Sequence, residues 1–281
     1  MKRERRRTVR WASGVLMGGL GSSMSQSGPA STPVRTGIVS GESPQPPRFS
    51  VLAAGAMFPA AESTPNPEAM AGARQTGGAS DSWRHRRLRG IPPNRFHLLE
   101  DAGTVVLGVD VAASASALIA RLRDPVRGST VSWRWRSDGF PREAAVGQRD
   151  RDDFAARVYL MFDLPEDRLS FADRVMLGSA SLIQRERVPA ATLVYLLHAG
   201  SSDDRPVASP FTDRVMMMVA RPQAFAGRWY LEARDWQHDF KTAFGARYPG
   251  MPPSPTAVAV GADGDQTGAV FSAWFGDLVF S

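Results

Sequence analysis

The sequence predicts a mainly β fold: an antiparallel jelly-roll-like β-sandwich with one or two short helices, preceded by a disordered N-terminal segment. Three observations lead to this prediction. Apolar and polar residues alternate with a period of two in many short segments, and residues 131–136 do so without exception. Only two pieces have a helical pattern. Strands and helices do not alternate in the order that a parallel sheet requires.

Eight segments are candidate strands. Residues 153–162 place Phe154 and Val158 on one face and Arg157 and Tyr159 on the other. The remaining seven are short runs rich in β-branched, aromatic or other apolar residues: 105–109, 131–136, 192–197, 214–220, 228–234, 256–260 and 270–280. The small-residue segment 112–122 fits either a strand or a short helix.

Two helical pieces interrupt the strands. Residues 169–186 form an insertion with a mixed helical pattern. In the second piece Trp236, Phe240 and Phe244 have the spacing i, i+4, i+8, which places them on one helix face. Asp235 is the expected N-cap, and Gly245 is the expected stop. We therefore expect this short helix to bury its aromatic face against the sandwich.

The N-terminal part of the chain predicts export followed by a linker. Residues 1–24 combine a basic start with a short apolar stretch, as export signals do, and Arg6-Arg7 weakly resembles a twin-arginine signal. The alternatives are a disordered basic tail or a start codon placed too far upstream. Residues 25–82 are rich in Pro, Gly and Ser and predict a disordered linker. The expected location is periplasmic or secreted.

The distribution of aromatic residues predicts where the folded domain begins. Of 25 aromatic residues, 22 lie from Trp83 onward, so the sandwich is expected to span residues 83–281. The longest apolar run has 11 residues, against about 20 needed to cross a bilayer, so no membrane span is expected. Most of the net charge of +6 lies in the first ten residues, which argues against nucleic-acid binding.

Several blocks of sequence resemble a known family. The order Trp133-Arg134-Trp135, then 152–159 (DDFAARVY), then 192–195 (TLVY) resembles the bacterial family known as domain of unknown function 3047. Blocks at 227–229, 232–235, 239–240, 243–245, 263–268 and 273–277 agree with it. Gln266 stands where the family tends to have Asn. The resemblance implies an architecture and an envelope location, and no activity.

Polar faces of the candidate strands supply the predicted ligand residues. If these strands are neighbours in one sheet, one surface would carry Arg134, Arg157, Tyr159, Tyr195 and Glu232. Rings and guanidinium groups suit a sugar, which needs a flat apolar face to stack on and directional hydrogen bonds to its hydroxyls. The alternative is an ordinary solvated sheet face with cross-strand Arg–Glu pairs.

Carboxylates allow two further interpretations. A glycan hydrolase could use Glu232 or Asp235 with Asp153, but structural ion pairs with Arg157 or Arg234 are the preferred interpretation of such residues. Asp263 and Asp265, spaced i, i+2, could hold a structural calcium ion, but a tight hairpin turn is the preferred interpretation of this segment. No other cofactor is expected. The chain has no Cys, and its His residues lack metal-binding spacing, so a zinc or serine hydrolase is not expected.

These observations together predict an exported module that binds a carbohydrate or another envelope component without transforming it. The glycan hydrolase is the alternative from the enzyme class. A third interpretation is a protein–protein interaction module that packs through the sandwich. The sequence does not predict an oligomeric state.

Overall fold

The computed structural model describes residues 44–58, 83–170, 173–174, 176–177 and 188–281. In these residues fourteen strands form two sheets. Sheet A has the spatial order β1 (Met57–Phe58), β3 (Arg95–Asp101), β4 (Thr104–Ala112), β13 (Val270–Phe275), β6 (Thr130–Ser137) and β11 (Tyr230–Asp235), and β14 (Val279–Phe280) also pairs with β6. Sheet B has the order β2 (Arg84–Arg87), β5 (Ala115–Arg121), β12 (Ala257–Asp263), β7 (Ala156–Phe162), β8 (Ala191–Leu197), β10 (Thr212–Arg221) and β9 (Val207–Ser209).

The predicted sandwich is confirmed, with one mixed sheet. The described strand pairs are antiparallel except β8 and β10, which run parallel. The chain passes through β9 between these two strands, and β9 forms an antiparallel pair with the outer edge of β10. Because β9 reverses the chain direction, β10 returns in the direction of β8.

The two sheets differ in how they are buried. Sheet A buries alternate residues, as in β6, where Val131, Trp133 and Trp135 face the core between the sheets. Sheet B is buried on both faces: every residue of β7, β8 and β12 is buried, and a second apolar cluster covers its outer face. The small-residue segment 112–122 contains β5, and its side chains lie in both apolar clusters. Small residues fit there because sheet B is packed on both sides.

The segment 44–58, called the arm from here on, packs onto the sandwich. Phe49 is fully buried and stacks on Trp83 at 4.8 Å between ring centroids. The Gln45 side chain donates to the carbonyl of Phe280 and accepts from its N–H, both at 2.8 Å. The linker predicted for 25–82 is therefore wrong for 44–58, because a buried aromatic residue anchors the arm. The other residues of 1–82 lie outside the described part of the chain.

One helix, α1 (Trp236–Phe244), closes one side of the core. The carboxylate of Asp235 accepts a hydrogen bond from the His238 N–H at 3.0 Å, which confirms the predicted N-cap. Trp236, Phe240 and Phe244 are buried, as their spacing predicts. The predicted insertion 169–186 lies mostly outside the described residues. Within its described part, residues 173–174 and 176–177 are helical. No helix in the described parts of the chain is both long and apolar enough to cross a membrane.

Candidate functional site

The five residues predicted to bind a ligand do not line one surface. Arg134 in β6 and Glu232 in β11 belong to sheet A, whereas Arg157 and Tyr159 in β7 and Tyr195 in β8 belong to sheet B. The prediction of a common surface required these strands to be neighbours in one sheet. They are not, so that prediction is wrong.

Arg157 and Tyr159 share the outer face of sheet B, as their spacing predicts, but neither reaches the surface. Arg157 is 2% exposed and Tyr159 is 5% exposed. The ring of Phe154 lies 4.9 Å from the Arg157 guanidinium, and Phe154 and Tyr159 belong to the same apolar cluster. The Tyr159 ring therefore has no free face on which a sugar could stack.

Tyr195 points to the other side of sheet B, into the core. It pairs across the strands with Val158 and packs against Trp133, with ring centroids 5.1 Å apart. Its hydroxyl donates to the Asp239 carboxylate at 2.9 Å, and Arg234 donates to the same carboxylate at 2.8 and 3.0 Å. Burial, together with the negative charge of Asp239, raises the pKa of Tyr195 well above its usual value. This network joins β8, β11 and α1.

Glu232 is also buried, at 6% exposed, and both of its oxygens are used within the fold. The Arg221 guanidinium donates to them at 2.8 and 2.9 Å, and the Trp135 indole N–H donates at 3.1 Å. This bidentate pair connects β10 of sheet B with β11 of sheet A. Of the five predicted residues, only Arg134 is partly exposed.

An acidic cluster forms where the segment 152–157 meets the turn 263–268. The Arg157 guanidinium pairs with Asp263 at 2.6 Å and with Asp152 at 3.4 Å. Asp153 accepts hydrogen bonds from the Gln266 N–H at 3.1 Å and from the backbone and hydroxyl of Thr267 at 2.7 Å each. The turn was expected to close a hairpin, but β12 lies in sheet B and β13 in sheet A, so it joins the two sheets.

The electrostatics of this cluster follow from its burial. Burial alone would lower the pKa of Arg157, but the charges of Asp263 and Asp152 outweigh this effect and raise it well above the usual value, so the guanidinium stays charged. Burial and the charge of Asp153 raise the pKa of Asp265 to about 6. Asp153, Asp263 and Asp265 each offer one oxygen, and these atoms lie within 4.8 Å of one another. Calcium binding by Asp263 and Asp265 stays a prediction.

A second cluster lies on the outer face of sheet A, and we call it the tryptophan–arginine cluster. It consists of Arg134, Arg136, Trp229 and Trp274, with Asp101 at its edge. The Arg136 guanidinium lies 4.5 Å from the Trp274 ring centroid and 4.9 Å from that of Trp229. The Arg134 guanidinium lies 4.6 Å from the Trp229 ring. All five side chains are half-buried, so the cluster presents rings and guanidinium groups at the surface.

Asp101 fixes the geometry of this cluster. One of its oxygens accepts from Arg136 at 3.2 Å, and the other accepts from the Trp229 indole N–H at 2.9 Å. Asp101 ends β3, whereas Trp229 directly precedes β11, so these bonds connect distant parts of sheet A across its outer face. Glycine leaves room nearby: a Cβ at Gly276 would lie 2.6 Å from Cγ of Arg134. The side chains are therefore held in place before any ligand arrives.

Of this cluster, the sequence prediction included only Arg134. Trp274 lies between Ala273 and Phe275, both buried, so strict alternation already places its ring on the outer face. Trp229 lies at the start of a predicted strand and gave no such signal. The contribution of Asp101 could not be found, because strand β3 was not predicted and the contact spans 128 residues.

These features define a β-sandwich protein with a cation–aromatic cluster on the outer face of sheet A and several buried charge networks. The sequence profile described as "Protein of unknown function (DUF3047)" matches residues 81–279, and the chain belongs to this family. The residues of the tryptophan–arginine cluster, the acidic cluster and the Tyr195 network all lie within that match. The arm lies before it.

Comparison with curated proteins gives no match. Among solved structures, the enzymatically active domain of tailspike protein 4 from bacteriophage CBA120 has 7% identity and a TM-score of 0.33, covering 71% of this chain and 19% of its own. The K3 cleaved adhesin domain of Lys-gingipain from Porphyromonas gingivalis w83 has 11% identity and a TM-score of 0.31, covering 73% of this chain and 93% of its own. The cellulose induced protein Cip1 has 12% identity and a TM-score of 0.30, and the match covers 74% of this chain and 94% of Cip1. Likenesses this distant carry no argument about function.

Proposed function

We propose that this protein is a non-catalytic glycan-binding module and that its binding face is the outer face of sheet A. The observation that carries the proposal is the tryptophan–arginine cluster: two half-exposed indoles, Trp229 and Trp274, with guanidinium groups between and beside them. Indole faces stack on the apolar side of a sugar ring, and guanidinium N–H groups donate to its hydroxyls. This assignment replaces the Tyr159 and Tyr195 rings, which are buried.

The candidate catalytic carboxylates already accept hydrogen bonds within the fold, which supports binding rather than hydrolysis. Asp153 accepts hydrogen bonds from the turn 263–268, Glu232 is held by Arg221 and Trp135, and Asp235 caps α1. A glycosidase needs an acid and a second carboxylate facing one substrate across an open site. These three residues perform structural roles in three different places.

A glycan array combined with a reducing-sugar assay tests the proposal. We expect the protein to bind at least one polysaccharide on the array and to release no reducing ends from it. Binding with release of reducing ends would instead favour the hydrolase. Binding to no glycan at all would overturn the proposal and favour the protein–protein interaction module. Polysaccharides of the bacterial envelope belong on the array, because residues 1–24 predict export.

A further inference from the structure

Within the tryptophan–arginine cluster, Arg134 differs from its neighbour Arg136. Arg136 donates to Asp101 at 3.2 Å and is neutralised by it. The Arg134 guanidinium contacts the Trp229 ring, and no carboxylate among the described residues pairs with it. Two guanidinium groups and one carboxylate leave this part of the surface with one positive charge.

The position of Arg134 is built into the sheet. Its stem lies against Gly276, in the connection between β13 and β14, where any larger residue would collide with it. A guanidinium stacked on an indole keeps its flat face covered and leaves N–H groups free at its edge. Two parallel N–H groups of this kind match the two oxygens of a carboxylate. A neutral sugar hydroxyl would use only one of them.

We infer that the glycan bound on this face carries a carboxylate, as uronic-acid sugars do, and that Arg134 binds this carboxylate in bidentate fashion. The inference rests on the proposed function and specifies the class of sugar. It assigns different roles within the cluster: Trp274 stacks on the sugar ring, Trp229 holds the Arg134 guanidinium in place, and Arg134 selects the acidic group.

Calorimetry with matched ligands tests this inference. The probes are oligosaccharides of polygalacturonate and of alginate, together with their carboxyl-reduced forms, in which each carboxylate has become a neutral hydroxymethyl group. We expect at least one acidic oligosaccharide to bind about tenfold or more tightly than its reduced form, which is the usual size of a charge-assisted pair. Arg134→Gln should abolish that preference, so that the acidic and the carboxyl-reduced forms bind this variant with equal affinity. Arg134→Lys should restore only part of it, because Lys keeps the charge and lacks the fork.

The matched control is Arg228→Gln, which removes one exposed positive charge outside the cluster and next to Trp229. Retention of the preference in this variant shows that net charge does not explain it, and equal loss in both variants would overturn the assignment to Arg134. Equal affinity of the wild type for the acidic and reduced forms would overturn the inference and leave the proposed function in place. If only neutral glycans of the array bind, the inference is likewise overturned and the proposed function stays in place. Binding to no glycan at all would remove both.

Discussion

At the scale of the residue, charged groups inside this sandwich act as structural connections. Arg157, Glu232 and Asp239 are each buried, and each joins segments that are distant in the chain. Alternation along a strand tells which residues share a face, and it correctly placed Arg157 with Tyr159. It does not tell whether that face meets water. Four of the five residues predicted to meet a ligand therefore proved to be buried.

Replacing Arg157 should strongly destabilise the protein. Arg157→Met leaves the buried carboxylate of Asp263 without its cation, and breaking one side of a buried pair costs about 3–5 kcal/mol. Urea denaturation of the variant and the wild type measures this cost. Arg228→Met, at an exposed position, should change stability by less than about 0.5 kcal/mol. A wild-type midpoint for Arg157→Met would show that this pair does not stabilise the fold.

Asp265 should make stability depend on pH. Its folded pKa of about 6 lies above the usual value of about 4, so between these values the folded protein binds a proton that the unfolded chain does not. Stability should therefore fall as pH rises from about 4 to about 6. Asp265→Asn removes this loss and should be more stable than the wild type at pH 7. We expect a gain of about 1 kcal/mol, which is less than the pKa shift alone implies, because water screens a half-buried group.

Denaturation at pH 4, 5.5 and 7 checks this prediction. The advantage of Asp265→Asn should grow with pH, whereas Asp124→Asn, at an exposed carboxylate, should show no such trend. If the advantage of Asp265→Asn is the same at all three pH values, or if the wild type is more stable at pH 7, burial does not raise the pKa of Asp265.

At the scale of the element, the arm shows how a short segment without its own core becomes part of a domain. Its composition predicted a linker, since residues 44–58 contain only two aromatic rings. Phe49 nevertheless fills a site beside Trp83, and β1 adds two residues to the edge of sheet A. Contacts with residues more than 200 positions away, such as that of Gln45 with Phe280, leave no local signal in the sequence.

Phe49→Ala should therefore destabilise the whole sandwich. Deleting a buried Phe ring costs about 3–5 kcal/mol when the site cannot collapse. Val51→Ala, on the exposed side of the same arm, is the control and should be close to neutral. The measurement is the thermal midpoint of each variant. Equal midpoints for Phe49→Ala and the wild type would place the arm outside the folded unit, as the sequence had predicted.

At the scale of the whole molecule, the sequence located strands in both sheets, including β7, β8 and β12, which are buried on both faces. In β6 and β13 of sheet A the alternation is visible, and the strands were predicted. Strand β2 was missed because residues 84–87 are mostly charged, a common property of edge strands. Segment 112–122 was ambiguous because its strand β5 is packed on both faces of sheet B, so its residues show no alternation between apolar and polar. The pairing order of strands, which decides which polar faces meet, has no counterpart in the local pattern.

The account as a whole assigns function to the open face of sheet A, and Trp274 tests it most directly. Calorimetry of the wild type, Trp274→Ala and Phe225→Ala against a glycan that the array identifies measures the contribution of its ring. Phe225 is the matched control, as an aromatic residue that is 68% exposed and lies outside the tryptophan–arginine cluster. We expect Trp274→Ala to lose about tenfold or more in affinity, as for one stacking ring, with an unchanged circular dichroism spectrum. Phe225→Ala should bind as the wild type does. Equal affinity of Trp274→Ala and the wild type would contradict the account and place glycan binding elsewhere.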